Sequence, residues 1–210
     1  MKEQRISMSV VRRLPRYYRL LCELVDSGVE HLSSKELADR MGLTASQVRQ
    51  DFNCFGEFGQ QGYGYITAKL KQEVGEILGL NAIRPAVLIG VGNIGRGIVT
   101  HMDFNRYGLK LCGVLDRNPT LSGQELVGLS IRSTDELEEV CAAHQVQVAI
   151  LCVPKSAAPA LVERLLSCGV RGFWNFSHYD ITQHHPEAIA ENVHLGDSLM
   201  TLAYQLENKL

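Results

Sequence analysis

Apolar positions follow one rhythm in the first eighty residues and another afterwards. In "VVRRLPRYYRLLCELVDSG", residues 10–28, Leu20, Leu21, Leu24 and Val25 recur at helical spacing. Pro15 suits the first turn of that helix and Gly28 ends it. "HLSSKELADRMGLTASQVRQDFNCFG" follows, with two capping signatures, Ser33 with Glu36 and Thr44 with Gln47. They predict two short helices parted by a turn at Gly42, the helix-turn-helix pattern, with Ala38 small where the helices cross. "FGEFGQQGYGYIT" sets aromatic residues among Gly56, Gly59, Gly62 and Gly64, which excludes a helix and predicts a two-stranded hairpin, a wing. "AKLKQEVGEILGL" restores helical spacing up to a boundary near Asn81 to Pro85.

Beyond the boundary the apolar residues come as continuous runs. "PAVLIGV", "LKLCGVLD", "VQVAILCVP" and "VRGFWNF" are of the buried parallel-strand type. Between them, "NIGRGIVTHMDFNRYG", "STDELEEVCAAHQ" (opened by Ser133 and Glu136) and "AAPALVERLLSCG" carry helical spacing. This alternation predicts an α/β, doubly wound parallel sheet. "DSLMTLAYQLENKL" ends the chain as an amphipathic helix with Leu199, Leu202, Ala203 and Leu206 on one side. The expected division is a winged helix-turn-helix domain over 1–81, a Rossmann-type domain over 82–196 and a C-terminal helix over 197–210.

Composition narrows the picture little. The 210 residues carry a net charge of −2, which by itself argues neither for nor against nucleic acid. No apolar run is long enough to span a membrane and no secretory segment follows the N-terminus, so the expected location is the cytosol. The six cysteines form no C-x-x-C pair and read as free buried thiols, with a redox-sensing thiol as the alternative. The seven histidines show no metal spacing, so no metal site is assigned.

Two stretches carry chemistry. In "LIGVGNIGRG", Gly90, Gly92 and Gly95 stand as G-x-G-x-x-G between a strand and a helix. The first glycine allows the sharp turn, the second a close approach of backbone to a pyrophosphate, the third tight helix-to-strand packing. Val91, Asn93 and Ile94 complete the loop, whose N–H groups meet phosphate at the helix N-terminus. Asp116 ends the next strand, where a carboxylate takes ribose hydroxyls and favours NAD over NADP; Arg117 beside it weakens that preference. The second stretch is "TASQVRQDF". Thr44, Ser46, Gln47, Arg49 and Gln50 suit base edges and phosphates, while Val48 and Phe52 face the core. Lys2, Arg5, Arg12, Arg13, Arg16 and Arg19 make the N-terminal segment basic, and Arg13 and Arg16 are expected at the duplex backbone. Tyr63 of the wing is grouped with these DNA contacts.

Together these residues resemble the Rex family of redox-sensing transcriptional repressors. The resemblance spans nearly the whole chain, through "RRLPRYYRLL", "SSKELA", "SQVRQDFNCFGEFG", "GYGY", "LIGVGNIGRG", "VLD", "AILCVP", "GVRGFWNF" and the "NVHL…LMTLAYQL" ending. It implies a homodimer whose C-terminal helix is exchanged between subunits, which binds a palindromic operator and releases it when NADH binds, coupling gene expression to the NADH/NAD ratio. The nucleotide is then a signal, and no residue is assigned as catalytic.

The chain departs from the family pattern at four places. Gln60 and Gln61 stand in the wing where the family has basic residues. His101 and His194 align with the family's tyrosine and aspartate, and His178 with a proline. In the family that aspartate alternates between an arginine, here Arg19, and the tyrosine. A DNA-binding regulator with an altered or lost NADH response is therefore one alternative. A small NAD-dependent oxidoreductase is another, with Lys155 and with His101, His178 or His194 as proton donors.

Overall fold

The computed structural model describes residues 6–56, 58 and 64–209. The chain divides into two units, 1–81 and 82–210.

The first unit runs α1 (Met8–Val11), α2 (Leu14–Asp26), β1 (His31–Leu32), α3 (Ser34–Met41), α4 (Ala45–Asn53), β2 (Tyr65–Ile66) and α5 (Thr67–Ile77). Pro15 occupies the first turn of α2. The buried stripe of α2 is Leu14, Tyr17, Leu21 and Leu24, rotated from the expected one, with Leu20 and Val25 half-buried. These side chains close on Leu37, Val48, Phe52, Leu70 and Val74. Ser33 and Glu36 form both halves of the capping box that opens α3. At α4 only half of the second box forms. Thr44 Oγ1 accepts from the Gln47 N–H at 3.1 Å, but the Gln47 side chain turns forward to Asp51.

The strand described in the glycine-rich stretch pairs antiparallel with β1, His31 opposite Ile66 and Leu32 opposite Tyr65. Most of the stretch between Gly56 and Gly64, where the expected hairpin would close, lies outside the described residues. Gly64 sits at φ +75°, and a Cβ there would lie 2.6 Å from Leu32 O, so the crossing needs glycine. Gln60, Gln61 and Tyr63, like Lys2 and Arg5, lie outside the described residues.

The second unit runs β3 (Arg84–Ile89), α6 (Asn93–His101), β4 (Leu109–Asp116), β5 (Glu125–Leu126), β6 (Leu129–Ser133), α7 (Leu137–His144), β7 (Val148–Leu151), α8 (Ala158–Ser167), β8 (Gly172–Asn175), α9 (Ile181–His184), β9 (Ile189–Asn192) and α10 (Leu195–Lys209). The strands lie in the order β5-β6-β4-β3-β7-β8-β9. All neighbours are parallel except β5 with β6. One face of the sheet packs with Leu137, Val140, Val162 and Leu165 of α7 and α8, the other with Val99 of α6 and Phe104. This is the doubly wound arrangement, and chain order reverses between β3 and β7, where such folds hold ligands.

Two helices are shorter than their spacing predicts. The run 93–108 stops at His101, because Asp103 accepts from the Asn105 N–H and starts a separate 3-10 turn, Phe104–Tyr107. In 133–145 the Ser133 and Glu136 box closes on a 3-10 turn, Thr134–Glu136, and the α-helix begins at Leu137. The short strands β5, β6 and β9 were not predicted. In α10, Leu199, Leu202 and Leu206 are 66, 51 and 52 % exposed within the single chain.

Candidate nucleotide cleft and nucleic-acid interface

The cleft forms where β3 and β7 end. Gly90 turns the chain at φ +97°, against the Cys152 carbonyl, and a Cβ on it would overlap that oxygen. Gly95 packs on the Gly90 carbonyl just as tightly. Gly92 is different: a Cβ there would meet nothing within 4 Å. The first and third glycines thus serve the crossing of loop and strands, while the second keeps open space before the first turn of α6. Asn93 and Ile94 lie exposed in that turn. Their N–H groups have no partner a turn earlier, so they favour an anion in that space.

Asp116 closes the other side. Its Oδ2 accepts from the Val91 N–H at 2.6 Å and its Oδ1 from the Asn118 N–H at 2.7 Å. A carboxylate has about four acceptor sites, so each oxygen keeps one for a ribose hydroxyl. The cleft, about 310 Å³, brings Gly90, Gly92 and Asp116 together with Arg117, Thr134, Cys152, Val153, Pro154, Ala157 and Leu161. Thr134 and the β7–α8 residues escaped the sequence reading. The only signal for them was position, each following the carboxyl end of a strand.

Lys155, the candidate acid of an oxidoreductase, is exposed in a 3-10 turn and does not line the cleft, nor do His101, His178 or His194. Burial pushes the Cys152 thiol up to about 12, and burial, with Cys168 nearby, pushes Cys141 up to about 12, so neither is a thiolate near neutral pH. Among the described residues no three His, Cys, Asp or Glu side chains gather as metal ligands, and no helix is long and apolar enough to cross a membrane.

In the first unit, α4 exposes Ser46, Arg49 and Gln50, with Thr44 exposed at its cap and Val48 and Phe52 in the core. Arg49 Nη1 rests on Ser34 Oγ at 3.1 Å, an exposed contact that a stronger acceptor can replace. Two other expected DNA contacts are engaged inside the fold. Arg13 donates through Nε and Nη2 to the two oxygens of Asp51, both at 2.6 Å. Gln47 Nε2 and Tyr17 Oη donate to the same carboxylate, each at 2.8 Å. Asp51 is fully buried and accepts two hydrogen bonds on each oxygen. Burial alone would raise its carboxyl pKa. The donors Arg13, Gln47 and Tyr17 outweigh that and hold it below the ordinary value. Burial, and then the bond to Asp51, raise the Tyr17 phenol. Arg13 is therefore the partner of a buried acid, where the sequence reading put it on phosphate. Arg16 and Arg19 are exposed, and Arg16 Nη2 reaches Met41 O at 3.3 Å.

Of the aligned switch residues, His101 is exposed at the end of α6. Among the described residues His194 meets neither a carboxylate nor a phenol. Its Nδ1 lies 2.8 Å from Nδ1 of His178, with the rings stacked 4.9 Å apart. His178 holds φ +59°, an uncommon conformation for a non-glycine residue.

Residues 5–53 match the family described as "Putative DNA-binding protein N-terminus" and residues 81–179 the "CoA binding domain" family. The redox-sensing transcriptional repressor Rex of Clostridium botulinum (strain Alaska E43 / Type E3) is 44% identical over 99% of both chains. The chain belongs to the Rex family. Rex of Clostridium novyi (strain NT) is 45% identical, over 98% of this chain and 97% of its own. Among solved Rex-family structures, RSP in complex with β-NAD+ and operator DNA superposes with a TM-score of 0.89 at 41% identity, covering 97% of this chain and 94% of that one. RSP in complex with β-NADH gives 0.89 at 38%, covering 98% and 96%.

Proposed function

We propose that this chain is a transcriptional repressor that binds a palindromic DNA operator, holds NADH or NAD in the β3–β7 cleft, and releases DNA when NADH binds. One observation carries the reading: a dinucleotide-type glycine turn facing a strand-end carboxylate shares a chain with a capped helix exposing Ser46, Arg49 and Gln50, in a Rex-family sequence. The open space at Gly92 fits a pyrophosphate, and the spare acceptors of Asp116 fit a ribose. Gly90, Val91, Gly92, Asn93, Ile94, Gly95 and Asp116 hold the nucleotide. Thr44, Ser46, Arg49 and Gln50, with Arg16 and Tyr63, meet DNA. Residues 1–81 form the DNA-binding domain, 82–196 the nucleotide domain, and 197–210 a dimerisation helix exchanged between subunits, which gives the exposed leucines of α10 a partner. The protein acts in the cytosol by binding, with the nucleotide as a signal and no residue assigned as catalytic.

The test is retardation of a palindromic duplex with increasing NADH, with NAD and NADPH as comparisons. A retarded complex that NADH dissolves supports the reading; NADH-insensitive retardation, or none, refutes it. The His178–His194 bond favours a second reading, a weakened NADH response, because His194 is held by an imidazole within its own unit. A shallow NADH titration separates the two.

A further inference from the structure

The wall of the cleft that carries Thr134 is held more firmly than a surface turn requires. The 3-10 turn Thr134–Glu136 is exposed or half-buried, yet three contacts fix it. The Ser133 N–H donates to Glu136 Oε1 at 3.0 Å. Arg132 Nε donates to Glu136 Oε2 at 2.7 Å, and its Nη2 reaches on to Glu139 at 2.8 Å. The third contact comes from a different element. Arg164, in α8, donates through Nε and Nη2 to both oxygens of Glu138 at 2.6 and 2.7 Å, and the same Nη2 reaches the Thr134 carbonyl at 2.9 Å.

The position of α8 gives that contact its meaning. The turn before α8 and its first turns supply Pro154, Ala157 and Leu161 to the cleft, and the β6–α7 connection supplies Thr134. Arg164 therefore ties two walls of one cleft together. The fork matters, because a guanidinium can hold a carboxylate with two donors while one of them also reaches a carbonyl, and an ammonium has no such planar pair. The pair keeps Glu138 ionised, its carboxyl lowered to about 2 chiefly by the Arg164 hydrogen bonds. A surface ion pair by itself adds little to stability. What this one does is fix a spacing before any ligand arrives, which lowers the ordering cost of binding.

We propose that Arg164 is a positioning residue for the dinucleotide: by holding Glu138 and the Thr134 carbonyl from α8, it presets the width of the cleft. The inference rests on the nucleotide reading given above. The experiment uses the full-length protein and the variants Arg164→Ala, Arg164→Lys and Arg171→Ala. Arg171 also donates to backbone carbonyls, those of Leu166 and Val170, but next to the amino end of β8, away from the strand ends that form the cleft. NADH affinity is measured by calorimetry, and amide hydrogen exchange is followed at 134–136 with and without NADH.

In the wild type, exchange at 134–136 should be slow and little changed by NADH. In Arg164→Ala it should be fast without NADH and slowed by it, with NADH bound about threefold to tenfold more weakly. Arg164→Lys should fall between, and Arg171→Ala should match the wild type. Lost affinity with unchanged exchange, or faster exchange with unchanged affinity, overturns the proposal, as does an Arg171→Ala effect equal to that of Arg164→Ala. If the wild type binds NADH and all variants bind it equally, the positioning role fails and the nucleotide reading stands. A wild type that binds no NADH fails the nucleotide reading itself and takes the proposal with it. The lysine variant keeps a cation at the site should the alanine variant fold poorly.

Discussion

Replacing Arg13 by alanine distinguishes two physical roles for one cation. On the sequence reading Arg13 meets DNA phosphate. Its loss would then leave stability untouched, weaken binding to all sequences alike and reduce the salt slope of binding by about one. The structure gives another outcome. Asp51 is fully buried and Arg13 supplies two of its four hydrogen bonds. Removing one partner of a buried pair typically costs about 3–5 kcal/mol. Tyr17 and Gln47 remain, so the lower end, about 3 kcal/mol, applies here. At about 0.05–0.15 kcal/mol per residue, a unit of this size holds roughly 4–12 kcal/mol, so the loss is a large share. Urea unfolding followed through circular dichroism, on wild type and Arg13→Ala, is the assay. The pH dependence adds a sign. The folded pKa of Asp51 is depressed, so its contribution is complete above the unfolded carboxyl range and is lost as pH falls through the lower folded value. Arg13→Ala should shrink that acid-dependent part. An unfolding midpoint within error of wild type, together with a reduced salt slope, would refute the structural role and restore the phosphate contact.

The remaining predictions are more local. Gly92→Val should fold normally and lose NADH, whereas Gly95→Ala should destabilise the second unit, because its Cβ collides with the Gly90 carbonyl; calorimetry and thermal melts separate the two. Arg49→Ala should weaken specific operator binding by about 1–3 kcal/mol, and an unchanged operator preference in retardation assays would exclude α4 as the reader. Deleting residues 197–210 should yield monomers with little operator binding, and light scattering that still finds dimers would contradict this. His194 is held by His178 and by no carboxylate among the described residues, so His101→Tyr with His194→Asp should steepen NADH-driven release; an NADH titration unchanged by the double substitution would count against it.

Much of the architecture was legible because it is written in short-range patterns. The capping pair Ser33 and Glu36, the glycines of the phosphate-type loop and the apolar runs of β3, β4, β7 and β8 each carry their signal within a few residues. What was missed depends on partners distant in sequence or on weak local patterns. Asp51 looks like any polar residue in "VRQDF" until Arg13, 38 positions earlier, is brought to it. Thr134 becomes a cleft residue only through the parallel stacking of β4 beside β6. The strand β9 alternates exposed and half-buried positions at the sheet edge, a pattern too weak to announce itself. The second capping box lacks its reciprocal half because the Gln47 side chain is turned forward to donate to Asp51, away from the Thr44 N–H it would accept from.

The carboxylate of Asp51 has a consequence for how a signal can reach DNA. It binds Arg13 just ahead of α2, Tyr17 within α2 and Gln47 within α4, so the exposed residues of α4 ride on the same rigid piece as the helix before them. The helix cannot be rotated or slid by itself without stripping a buried charge of its partners. If two such units read one operator, as proposed above, a change in the distance or angle between them lowers affinity without that cost.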